Sequence, residues 1–148
     1  MTKEITIPGI VETLQNLEPE VRKLAIAALT QIDARDASNA ARQLVVALGD
    51  NDKSVREGAK NLLIDIGTNA VPVLITAVLN SRRSGIRCES IKILEKIRPM
   101  RSKIRDCLEA VSKDSDKEVA TAARTALMLS GGKAHRKAAL SRVRNPRR

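Results

Sequence analysis

Residues 50 to 79 read DNDKSVREGAKNLLIDIGTNAVPVLITAVL, and the fold follows from how this stretch repeats. It opens with the acidic turn Asp50-Asn51-Asp52, continues through the pair Val55-Arg56 into an apolar helix ending near Gly67, and starts a second apolar helix around Pro72. Aligning the chain on Val21, Val55, Ile86 and Val119 gives spacings of 34, 31 and 33 residues. Four residues after each anchor stand Ala25, Ala59, Ser90 and Ala123, eight after stand Leu29, Leu63, Leu94 and Leu127, and eleven after stand Ile32, Ile66, Ile97 and Ser130. Offsets of 0, 4, 8 and 11 share one stripe of a helix with 3.6 residues per turn, so each unit supplies a helix with one packed face. The small residue at the second offset lets neighbouring helices approach closely.

A shorter amphipathic helix precedes each of these. Its apolar positions are Ile10, Leu14 and Leu17 in the first unit, Ala41, Leu44, Val45 and Leu48 in the second, Val71, Leu74, Ile75 and Val78 in the third, and Ile104, Cys107, Leu108 and Val111 in the fourth. Four antiparallel helix pairs are expected. Pro8, Pro19, Pro72 and Pro99 fall near helix beginnings, where the missing N–H costs little. The chain of 148 residues contains no Phe, Tyr or Trp, so its 43% apolar residues must build a core of Leu, Ile, Val, Ala and Met. That composition suits close-packed helices and points to an all-α protein. It also removes the aromatic platforms on which single-stranded nucleic acids and flipped bases stack.

Units of 31 to 34 residues made of helix pairs could be of tetratricopeptide or ankyrin type, but the residues disagree. Tetratricopeptide units depend on aromatic positions, and no Thr-Pro-Leu-His segment is present. The acidic turn, the Val-Arg pair, the Ala and the Leu-rich end instead resemble HEAT repeats, in particular the short variety first noted in phycobilisome lyases. Asp52, Val55, Arg56, Ala59, Gly67, Ala70, Val71, Pro72 and Leu74 carry the resemblance, with echoes at Glu18, Val21, Arg22 and Ala25 and at Ile86 and Arg87. The fourth unit departs, having Ala120 where the Arg belongs. The resemblance covers about residues 7 to 130. It implies a right-handed α-solenoid over residues 1–132, whose second helices line a concave face, and a function in binding other macromolecules.

The formal charge of +10 is distributed unevenly. Residues 1–81 carry eight basic and ten acidic side chains. Residues 82–105 carry nine basic ones, Arg82, Arg83, Arg87, Lys92, Lys96, Arg98, Arg101, Lys103 and Arg105, against Glu89 and Glu95. Residues 106–130 return to a net of −2, and the last eighteen residues hold seven cations and no acid. A charge excess serving solubility alone would be scattered. The excess therefore marks Arg82, Arg83, Arg87, Lys92, Lys96, Arg98, Arg101 and Lys103, with Arg136, Lys137, Arg142 and Arg144 of the tail, as candidate macromolecule-binding residues. Among the Val-Arg arginines, Arg22 and Arg56 have Glu18 and Asp52 four residues earlier, an ordinary helical ion-pair spacing. Arg87 has Arg83 there, and is expected to be the spare one.

The tail from residue 133 to 148 is set off by Gly131 and Gly132, which fit a helix stop. Ala134, Ala138, Ala139 and Val143 could support one further helix, although so short and charged a segment is expected to be mobile until it meets a polyanion. Chemistry finds little support. His135 is the single histidine, so a His-based triad or a multi-histidine metal centre is not available. Cys107 falls on a packed stripe, and Cys88 is read as an exposed thiol near cations but with no base beside it. The segments GDND and SGGK lack the spacing of a phosphate loop, and Glu57 and Asp65, eight apart, make no acid-base pair.

The sequence thus predicts a non-enzymatic, cofactor-free scaffold that binds a protein with an acidic surface through its concave face and basic rim. A module binding the DNA or RNA backbone is the rival reading. No small-molecule substrate and no membrane contact are expected. With acidic residues near the N-terminus, no apolar run of membrane-spanning length and unpaired cysteines, a cytoplasmic protein is the expectation.

Overall fold

The computed structural model describes residues 13–14, 18–31, 33, 36–97 and 102–143, with side chains as far as Ser130. Every regular element among the described residues is helical: α1 (Pro19–Leu29), α2 (Ala37–Ala47), α3 (Lys53–Ile66), a 3-10 turn (Gly67–Ala70), α4 (Val71–Asn80), α5 (Ser84–Lys96), α6 (Ser102–Val111) and α7 (Lys117–Val143). The paired helices are α2 with α3, α4 with α5, and α6 with α7. Along the array α1, α3, α5 and α7 pack in sequence as one layer, while α2, α4 and α6 form the other. This is an α-solenoid. The helix preceding α1 lies mostly outside the described residues, but Leu14 packs against the core.

Local chemistry sets the element ends. The Asp52 carboxylate caps α3 by accepting from the Ser54 and Val55 N–H groups at 2.8 and 3.1 Å. Gly67 ends that helix at φ +65°, a backbone conformation that side chains disfavour, while its N–H donates to the Leu63 carbonyl. Pro19 and Pro72 occupy the first turns of α1 and α4, as expected. Pro8 and Pro99 lie outside the described residues.

The repeat register holds in the packing. Val55, Ile86 and Val119 are buried, as are Ala25, Ala59, Ser90 and Ala123 four residues on and Leu29, Leu63 and Leu94 eight on. On the other layer Leu44, Leu74, Val78, Ile104 and Leu108 are completely buried, and Cys107 is a core residue beside them. Ser90 is the exception in kind. Its hydroxyl occupies the position that alanine fills in the other units, and it has no hydrogen-bond partner.

Two expectations change. Helix α7 does not stop at Gly131 and Gly132 but runs on to Val143. Each glycine costs only about 1 kcal/mol relative to alanine, and the Met128-Leu129 and Lys133-Ala134 flanks are helix formers, so nothing local forces a break. Further, the segment Lys53–Asn80 does contain a window long and apolar enough to cross a membrane by composition, with mean hydropathy 1.9. Gly67 divides that segment into α3 and α4, which place Leu63, Leu74 and Val78 in the protein core.

Candidate functional site

Two turns of the solenoid are built alike. In the first, the Asp50 carboxylate receives Nε and a terminal amino group of Arg22 at 2.7 and 2.8 Å, and also the Asp52 N–H at 2.8 Å. In the second, the Asp114 carboxylate receives both amino groups of Arg87, one of them at 3.2 Å, and the Asp116 N–H at 2.9 Å. The next acid in each turn caps the following helix: Asp116 accepts from the Glu118 and Val119 N–H groups, as Asp52 does from Ser54 and Val55. Each clasp therefore ties the start of one long helix to the turn leading into the next, across 28 and 27 residues.

These pairs are well shielded, with side chains only 12% and 13% exposed at Arg22–Asp50 and 14% and 16% at Arg87–Asp114. Burial pushes the Asp50 carboxyl upward, but the Arg22 and Asp52 hydrogen bonds outweigh it and leave its pKa below the ordinary carboxylate value. At Asp114 the Arg87 hydrogen bonds lead, and the pKa again lies below that value.

Arg87 is consequently not the spare arginine that its helical spacing suggests. Its Nε also donates to the Val78 carbonyl at 2.7 Å, so the guanidinium is engaged on both sides. The partner acid comes from the following turn, a place that an i to i+4 reading does not search. Arg22 likewise reaches Asp50 in the next turn. Arg56 donates to the carbonyls of Asp50 and Asn51, both at 2.8 Å, while Asp52 serves as the cap.

The turn between α4 and α5 breaks the pattern. Counting back from the anchors, Ser81 stands where Asp50 and Asp114 stand, and Arg83 where Asp52 and Asp116 stand. Ser81 preserves one bond, its hydroxyl accepting the Arg83 N–H at 3.3 Å. Neither position offers a carboxylate. Arg83 occupies the N-cap of α5 without a side-chain capping bond, and its guanidinium crosses to the Gly49 carbonyl at 2.7 Å. Gly49 permits this approach, because a Cβ there would collide with that guanidinium. The result is a cleft of about 510 Å³ bounded on one side by Leu48, Gly49, Asp50 and Asn51 and on the other by Arg82, Arg83 and Ile86, with Arg56 reaching into it.

The remaining candidates are dispersed. Arg82 and Arg83 are exposed at the N-terminal end of α5, whereas the exposed Lys96 closes its C-terminal end and the exposed Lys103 follows in α6. A helix of 13 residues separates those ends by roughly 20 Å. Among the described residues, Arg82 and Arg83 thus stand apart from Lys96 and Lys103. Lys92, 54% exposed, donates to Glu89 at 2.7 Å, and Glu89 also lies 3.8 Å from Lys60 of α3. Arg136, Lys137 and Arg142 fall on the extension of α7, their side chains outside the described residues, as are Arg98, Arg101 and Arg144 altogether.

Cys88 is half-buried rather than open. Burial pushes its thiol pKa up, and the Asp116 and Glu118 carboxylates add to the rise against an opposing pull from Lys92. Activation as a nucleophile is not what this setting produces.

Residues 7–87, more than half of the chain, match the family model described as HEAT repeats. The match ends just inside α5, so most of the basic segment and the fourth unit lie beyond it. No curated protein is similar enough to match.

Proposed function

The chain belongs to the HEAT-repeat family, and from that premise we propose that it is a non-enzymatic scaffold that holds an acidic protein partner against its third repeat. HEAT repeats are commonly scaffolds for protein interactions. The observation carrying the reading is the contrast among the arginines: Arg22 and Arg87 are consumed by inter-repeat clasps, whereas Arg82 and Arg83 are exposed in a turn with no carboxylate of its own. Lys96 and Lys103 add cations toward the other end of α5, and on this reading the layer of α3, α5 and α7 serves as the concave, partner-facing side. Helices about 20 Å long stacked at 8 to 10 Å intervals offer the area that a stable interface of about 800 Å² per partner needs.

A second reading, binding to the DNA or RNA backbone, draws on the seven cations of the last eighteen residues and on the helical course of α7 to Val143. Affinity capture from the native lysate, divided into nuclease-treated and untreated halves, separates the two. The scaffold reading expects an acidic protein that survives nuclease treatment and is lost from the Arg82→Glu, Arg83→Glu, Lys96→Glu, Lys103→Glu variant. Recovery that depends on intact nucleic acid, weakens steeply with salt and disappears on removal of residues 133–148 would support the second reading instead.

A further inference from the structure

We propose that the joint between the second and third repeats is a carboxylate-accepting cleft, in which an Asp or Glu from an acidic protein segment supplies the negative charge that Asp50 and Asp114 supply at the neighbouring joints. The proposal rests on the scaffold reading and names the chemistry of its contact point. Three joints share one sequence register, and two of them show what belongs there. Arg22 and Arg87 each grip a carboxylate in the following turn, and that carboxylate also receives an N–H two residues on. At the middle joint Ser81 accepts the corresponding N–H, from Arg83, so one bond of the closed turns is kept. The charge is missing.

The corresponding arginine, Arg56, turns back to the Asp50 and Asn51 carbonyls and places its guanidinium at the wall of the open cleft. Arg83 contributes a second guanidinium, held at the Gly49 carbonyl, and Arg82 a third at the mouth. An entering carboxylate meets two charged donors already positioned, with α5 lacking a side-chain cap just behind them. The surroundings favour a short acidic protein segment over a nucleic-acid backbone. Asp50 borders the cleft, and Asp114 and Asp116 occupy the turn of the next joint, so the arginines sit in a small basic opening between acidic turns. A continuous phosphate track would run against those carboxylates, whereas a single side chain enters between them.

The test uses the full chain and fluorescence anisotropy at low ionic strength, with a fluorescein-labelled peptide of alternating Asp and Gly, its Asn-Gly counterpart and a labelled DNA duplex. The Asp peptide should bind and the Asn peptide should not. Ser81→Asp, which restores a carboxylate at the register position of Asp50 and Asp114, and Arg56→Gln should each weaken Asp-peptide binding by about tenfold or more. Duplex binding should be unchanged in both variants. Circular dichroism confirms folding, and Ser81→Asp should melt no lower than the parent. An Asp peptide that fails to bind the parent, or that binds both variants as tightly as the parent, overturns the cleft. So does equal loss of duplex and peptide binding in Ser81→Asp, which would make the joint a general polyanion site. If the four-residue charge reversal abolishes peptide binding while Ser81→Asp and Arg56→Gln do not, the basic-surface reading survives and the cleft alone fails.

Discussion

The joint between the first and second repeats and the one between the second and third use the same helix start and the same turn register, yet only the former is closed by a carboxylate. Arg22 meets Asp50, whereas Arg56 faces a turn reading Ser81-Arg82-Arg83. The joint between the third and fourth repeats returns to the closed form through Arg87 and Asp114. An arginine at this position therefore has a structural or a binding role according to a residue in a different helix pair. Its own neighbours in sequence do not decide the matter.

Removing a closed clasp should have the largest effect. Asp50→Ala removes the clasp to the shielded Arg22 guanidinium and the acceptor of the Asp52 N–H, at a loss of about 2 kcal/mol because the pair keeps some solvent contact. Arg56→Ala at the open joint should cost about 1 kcal/mol, since hydrogen bonds to two backbone carbonyls and a longer-range attraction to the Asp50 carboxylate are lost. Urea unfolding of the two variants measures this difference. Equal losses would erase the distinction between the joints.

Acid should find the closed joints next. The pKa values of Asp50 and Asp114 are lowered in the folded protein, so they bind protons less readily there than in the unfolded chain. Their stabilisation is complete above the unfolded value of about 4 and disappears as pH falls through the lower folded values. Melting temperature should decline below about pH 4, and the Asp50→Asn, Asp114→Asn double variant should show a shallower decline from a lower starting point.

Smaller effects sharpen the contrast within the third unit. Ser90→Ala removes a buried hydroxyl that has no partner and restores the residue found at positions 25, 59 and 123, so stability should rise by about 1 kcal/mol. Ser81→Asp should raise it by about 0.5 kcal/mol, the scale of a partly exposed ion pair, with the gain visible as a small upward shift in melting temperature.

The helical register was legible because it depends on local periodicity: Val55, Ala59 and Leu63 specify one face whatever surrounds them. The stop at Gly67 and the proline at position 72 were legible for the same reason, whereas Asp52 was read as the ion-pair partner of Arg56 and is instead the cap of α3. The clasps were not, because a spacing of 27 or 28 residues becomes a contact only after two helices have folded back. Reading Arg87 against Arg83 within its own helix made it look available, when Asp114 was its partner. Cys88 was misjudged similarly, since Asp116 and Glu118, which raise its pKa, come from the next unit's turn and helix. Gly131 and Gly132 gave a misleading local signal, outweighed by good helix formers on both sides. Of the candidate site, Arg82 and Arg83 were visible as a departure from the acidic turn, but the cleft they form with Arg56 required the adjoining turn at Gly49.

Two joints are closed internally by an arginine-carboxylate pair, and the middle one is not. Double-mutant cycles by urea unfolding at Arg22/Asp50, Arg87/Asp114 and Arg56/Ser81 test this difference most directly. Clear coupling is expected in the first two cycles and none in the third, with coupling appearing between Arg56 and position 81 once Ser81→Asp is the background. Coupling of similar size in all three native pairs, or none in any, would contradict it.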